Sequence, residues 1–137
     1  MPSNPLAGVK NTPLHLAVAR NDVAEVQRLL TLKSTKIDAR NSVWNTPLHI
    51  AARKGLFKVA GILLTGGADV NATNIDGFTP LHFTIYDKHL DLAKLLLENG
   101  AIPDAVNAHG FTPVEEALSQ WRADAEKLFR EYLKNKK

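Results

Sequence analysis

The chain has 137 residues, 45% of them apolar and 23% charged, with a formal net charge of +3; this is a globular composition with room for one compact core, and it excludes a disordered chain. Cysteine is absent, which excludes a disulfide framework, thiolate catalysis and a Cys-ligated zinc. No apolar stretch approaches the roughly 18 residues that cross a bilayer, and Met1–Pro5 carries no basic segment leading into an apolar run. The expectation is a soluble protein of the cytoplasm, or of the nucleus in a eukaryote, without membrane contact. Charge is uneven: residues 1–66 carry nine Lys/Arg against three Asp/Glu, and residues 67–137 carry eight against eleven. Such polarity either steers an acidic partner to the first half or reflects ordinary solvated faces.

Residues 1–8 read as an N-terminal arm, after which the chain repeats itself. Thr12-Pro13-Leu14-His15-Leu16-Ala17 returns as Thr46-Pro47-Leu48-His49-Ile50-Ala51, as Thr79-Pro80-Leu81-His82-Phe83-Thr84, and weakly as Thr112-Pro113-Val114-Glu115-Glu116-Ala117, at spacings of 34, 33 and 33. Each Thr caps a helix whose first position is Pro, where a missing N–H costs nothing. A second helix follows each short one, with apolar residues three and four apart: Val23, Val26, Leu29 and Leu30; then Val59, Ile62, Leu63 and Leu64; then Leu92, Leu95, Leu96 and Leu97. Gly66-Gly67 and Gly100 are expected to end these helices through positive φ. Asn41, Asn74 and Asn107 sit in the connecting turns, where the side chain can close on its own backbone. The copies run approximately 9–42, 43–75, 76–108 and 109–133, within one domain of 9–133. The extra residue of the first spacing lies in the linker 31–37. The last copy, with a second helix over 123–133, reads as a cap, because Glu116 and Arg130 replace apolar residues of the other copies. A basic tail, 134–137, ends the chain.

The Thr-Pro-Leu-His-x-Ala motif, the run Gly67-Ala68-Asp69-Val70-Asn71-Ala72 and the 33-residue period resemble the ankyrin repeat family. The resemblance implies an α-solenoid of four stacked helix-turn-helix repeats, L-shaped, with β-hairpin tips and a C-terminal cap. It implies a non-catalytic protein–protein interaction module (an adaptor, inhibitor or assembly factor), monomeric and without cofactor, that holds a partner protein in the concave groove of tips and first helices. A host-directed bacterial ankyrin protein is an alternative setting for the same module. Asn71 also resembles the context of ankyrin asparagines hydroxylated by an Fe(II)/2-oxoglutarate enzyme.

Catalysis finds no support. His15, His49 and His82 stand one repeat apart, and units stacked at roughly 8–10 Å cannot converge them on one metal ion; the resemblance makes them, and His89, architectural. Glu115 and Glu116 adjoin and point to different sides of a helix, and no phosphate loop or nucleophile motif appears. Nucleic acid binding would need the strip Lys10, Arg20, Arg40, Arg53 and Lys54, with Trp44 nearby for stacking. It is disfavoured by the small net charge and by Asp76 and Asp87 opposite.

Positions that differ between copies on one face are free for recognition. The first-helix pairs read Ala19-Arg20, Arg53-Lys54, Tyr86-Asp87 and Ser119-Gln120. The tips read Ser42-Val43-Trp44-Asn45, Ile75-Asp76-Gly77-Phe78 and Ala108-His109-Gly110-Phe111. The predicted contact set is Arg40, Trp44, Asn45, Arg53, Lys54, Asp76, Phe78, Tyr86, Asp87, His109 and Phe111, although Phe78 and Phe111 recur and so are better suited to pack hairpin on hairpin. Trp44 occupies a position that favours Gly. It either anchors a partner or folds back to cover the linker 31–37.

Overall fold

In a computed structural model the described residues, 11–135, form eight α-helices in four pairs. These are α1 (Pro13–Ala19) with α2 (Val23–Leu30), α3 (Pro47–Lys54) with α4 (Phe57–Thr65), α5 (Pro80–Tyr86) with α6 (Leu90–Glu98), and α7 (Pro113–Glu116) with α8 (Arg122–Asn135). The arm 1–8, Lys10 and the last two residues of the tail lie outside the described residues.

Helices of seven to nine residues are too short to hold alone, so each pair is stabilised by its neighbours. α1, α3, α5 and α7 pack in succession as an inner layer, and α2, α4, α6 and α8 as an outer one. Leu48, Val59, Leu63, Leu81, Ile85, Leu92 and Leu96 are fully or almost fully buried in the core. The array is the expected helical solenoid of ankyrin-type repeats.

Each inner helix begins the same way. Thr12, Thr46, Thr79 and Thr112 lie in extended backbone, and each hydroxyl accepts the N–H three residues on, with Pro at the helix start. In the first three copies that third residue is His, whose Nδ1 accepts the Thr N–H. Its Nε2 then donates forward to a carbonyl of the next tip: His15 to Asn45 at 2.8 Å, His49 to Phe78 at 2.8 Å and His82 to Phe111 at 3.0 Å. In the fourth copy Glu115 accepts the Thr112 N–H instead.

The tips close on asparagine. The Oδ1 of Asn41, Asn74 and Asn107 each accepts two backbone N–H groups of its own turn. The third residue along has positive φ at each of these three tips: Trp44 at 65°, Gly77 at 75° and Gly110 at 84°. Neighbouring tips share one backbone bond each, Ile75 N–H to Val43 C=O and Ala108 N–H to Asp76 C=O. The tips are therefore hairpin-like turns, and no β-strand forms among the described residues; single rungs are too short a ladder for the expected β-hairpins.

Further differences have local causes. Gly67 and Gly100 carry positive φ, at 96° and 94°, but Gly66 stays right-handed at −77°. A Cβ there would make a tight contact, 3.0 Å from Cδ1 of Ile37. α7 makes a single turn because Ala117 turns extended, at ψ 136°. Arg122 donates to the carbonyls of Glu115 and Ala117, and Trp121 Nε1 to that of Ile85 at 2.8 Å. Ser119 and Gln120 thus sit in a turn, off the inner helix.

Candidate partner-binding face

The repeat period stacks the ends of the inner helices beside the tips, and between them lies a shallow pocket of about 380 Å³. Its floor is aromatic. Phe78, from the second tip, stacks on Phe83 of α5 with centroids 5.5 Å apart and planes 22° from parallel. His49 meets Phe83 edge-on at 5.7 Å, and His109 meets Phe78 edge-on at 5.8 Å. Arg53, near the end of α3, lays its guanidinium carbon 5.8 Å from the Phe83 centroid. Tyr86, Asp87 and Glu116 complete the lining. Asn107 Nδ2 donates to one carboxylate oxygen of Glu116 at 2.7 Å, which fixes its orientation.

The structure thus brings Arg53, Phe78, Tyr86, Asp87 and His109 of the expected set together. Two members of the pocket were missed, Phe83 and Glu116. Their signal was present: the motif position that reads Leu16, Ile50, Phe83 and Glu116 varies while its neighbours repeat. Glu116, expected as part of a cap, is half-buried and faces this pocket. Arg130 is exposed, as a cap residue should be.

The other expected residues lie elsewhere. Trp44 is 55% exposed, more than a cover over the linker would leave, and its ring lies 5.1 Å from the Arg40 guanidinium carbon. Arg40 Nη1 also donates to the carbonyls of Thr73 and Trp44, which holds it across two tips. Lys54 Nζ donates to the Ala19 carbonyl at 3.1 Å. Asp76 is exposed on its tip, and Phe111 is 46% exposed outside the pocket. Asn45 is only 9% exposed and its oxygens are engaged: its Oδ1 accepts from Asn74 and its carbonyl from His15. That side chain serves the stack. Asn71 likewise bridges repeats, donating to the Gly100 carbonyl and accepting the Ile102 N–H.

The histidine row is neutral and structural. Burial pushes His49 down to about 4, and the charge of Arg40 acts the same way, while its bond to the Phe78 carbonyl opposes them. Burial also lowers His15 and His82. His89 spans repeats in its own manner, with Nε2 3.2 Å from the Arg53 carbonyl and its ring over Gly55, where a Cβ would clash at 2.6 Å. A second depression, lined by Lys94, Glu98, Leu128, Glu131, Tyr132 and Asn135, belongs to the outer layer. No helix among the described residues is long and apolar enough to cross a membrane.

The chain is 41% identical over 61 residues to the B-cell lymphoma 3 protein homolog of Mus musculus, a stretch covering 42% of the chain and 14% of that protein. It is 41% identical over 58 residues to the nuclear factor NF-kappa-B p105 subunit of Gallus gallus, covering 42% and 6%. Against the B-cell lymphoma 3 protein of Homo sapiens it is 38% identical over 61 residues, covering 42% and 13%. The matched stretch spans a seventh or less of the length of these relatives. The family described as ankyrin repeats in three copies matches residues 3–74, and ankyrin repeats in many copies match residues 63–117. Given these matches and the stacked helix pairs, the chain belongs to the ankyrin repeat family.

Proposed function

We propose that this chain is a monomeric, non-catalytic adaptor, inhibitor or assembly factor of the cytoplasm or nucleus, holding a protein partner against the tips and inner helices of its second to fourth repeats. The observation that carries this reading is the convergence of Arg53, Tyr86, Asp87 and His109, residues chosen for departing from the repeat, with the recurring Phe78 on one aromatic pocket. Trp44 adds an exposed ring at a backbone position where a large residue costs stability, as an interface anchor would. The p105 relative is named as a subunit, which fits a role in assemblies. Paired affinity capture tests it, with the wild type, Trp44→Ala, Tyr86→Ala and an outer-layer control, Lys94→Ala, as baits. A protein held by the wild type and the control should be lost from both aromatic variants; identical captures by all four would refute the site.

The nucleic-acid reading is weaker, because Arg40 and Lys54 of the basic strip already donate to backbone carbonyls. A steep fall of oligonucleotide affinity with salt would revive it. Hydroxylation of Asn71 belongs to the same proposal only in hosts with the enzyme. Both ends of its amide are engaged, so the loop must open locally first, and intact mass after coexpression reads the added oxygen.

A further inference from the structure

The pocket has a chemical preference. Two carboxylates line it, Asp87 from the end of α5 and Glu116 from α7, against the single cation Arg53. Among the described residues the side chain of Asp87 has no hydrogen bond or ion pair, and the second oxygen of Glu116 has no donor. The Arg53 guanidinium has no acceptor either, and its contact is the face of Phe83. A planar cation over the Phe83 ring, itself stacked on Phe78, is thus already realised by the protein's own side chain. Ring faces carry negative potential, and a cation gains more there as water is excluded. An anion in the same place would lie between two carboxylates. The whole half of the chain that supplies this end, residues 67–137, is acidic. At about 380 Å³ the pocket is at the low end of the about 300–1,000 Å³ typical of ligand sites, which suits one long side chain.

We infer that this pocket receives a lysine or arginine side chain of the protein partner, and that Arg53 occupies the Phe83 ring face as an internal cation until the partner displaces it. The inference rests on the interaction reading above and assigns the chemistry of its partner. Arg53 thereby becomes a competitor of the incoming group, so its removal strengthens binding, the opposite of what a direct contact predicts.

The test is an NMR titration of the aromatic resonances of Phe78, Phe83 and Tyr86 in the intact chain. The probes are the Nα-acetyl methylamides of lysine, arginine, glutamate and norleucine. The two cationic probes should give saturable shifts of these rings, and glutamate and norleucine none. Arg53→Ala should tighten the cationic probes about two- to fivefold, the factor that one exposed cation–ring contact is worth. Asp87→Asn with Glu116→Gln should abolish saturation; the amide at 116 keeps an oxygen for Asn107, so the thermal transition should move by no more than a few degrees. Shifts that follow glutamate or norleucine, or weaker cation binding in Arg53→Ala, overturn the inference. If the probes fail while partner capture still depends on Tyr86, the inference falls and the interaction reading stands. If they bind as expected but capture ignores Tyr86 and Trp44, the interaction reading falls.

Discussion

Acidification from pH 7.5 to 5 should loosen the stack at its buried imidazoles, and His49 sets the size of the effect. Its Nδ1 accepts the Thr46 N–H at 3.0 Å while Nε2 donates to the Phe78 carbonyl at 2.8 Å. A proton added at Nδ1 would therefore face another donor inside a fully buried site. The native imidazole stays neutral down to about pH 4, whereas its ordinary value is 6.5. Below pH 6.5 the unfolded chain binds a proton that the native chain does not, so stability falls with pH until about 4 and then levels for this group. At about 1.4 kcal/mol per pH unit the whole window is worth about 3 kcal/mol, of which about 2 is lost by pH 5. His15 and His82 are lowered by burial as well and add to the loss. Urea unfolding followed by circular dichroism, at equal ionic strength and both pH values, would compare the wild type with His49→Gln. The variant should start less stable at pH 7.5 but lose about 2 kcal/mol less on acidification. Equal losses in the two proteins would refute the assignment of this site as a neutral staple.

Gly77 and Gly110 share positive φ, but only at Gly77 would a Cβ press on backbone, 2.9 Å from the Ala108 nitrogen. Both alanine variants carry the conformational cost of about 1 kcal/mol, and thermal melts should show Gly77→Ala the worse by at least about 1 kcal/mol more. Trp44→Gly relieves a positive φ of 65° and gives up the Arg40 contact, two effects of about 1 kcal/mol and opposite sign. Its melting temperature should stay within about 5 °C of wild type while partner capture is lost; a larger drop would make Trp44 structural. Trp121→Phe removes the 2.8 Å bond to the Ile85 carbonyl and should cost about 1 kcal/mol in urea melts.

The repeat was legible because its caps and turns are local. Thr-Pro starts, the asparagine turns and the positive φ at the position of Trp44 all depend on residues within four of each other. What escaped depends on partners outside the element concerned. Nothing within α7 announces that it ends at Ala117; the signal is Arg122, in the next helix, taking the carbonyls that a continued helix would have used. Asn45 shares a tip with Trp44 and so looked free, but Asn74, 29 residues away, claims its side chain. Glu116 belongs to the last copy, where a polar residue reads as an end surface, although its register points it at the inner pocket with Phe83. Departure from the repeat located Arg53, Tyr86, Asp87 and His109, the recurring tip supplied Phe78, and reading the motif's own variable position would have added Phe83 and Glu116.

The histidine, asparagine, arginine and tryptophan bridges between repeats each span 29 to 36 residues, about one period. Cohesion is therefore passed from neighbour to neighbour, and the molecule is linear in its energetics as well as its sequence. Folding can begin wherever two adjacent copies first meet, with no long loop to close, which favours fast kinetics for the length. Amides of α1 and α8 should exchange with solvent through fraying of the outermost copy, while those of α3 and α5 wait for both neighbours to leave. The pocket, drawn from the second, third and fourth copies, then exists only while three consecutive units are docked. A partner that fills it would slow exchange across all three at once.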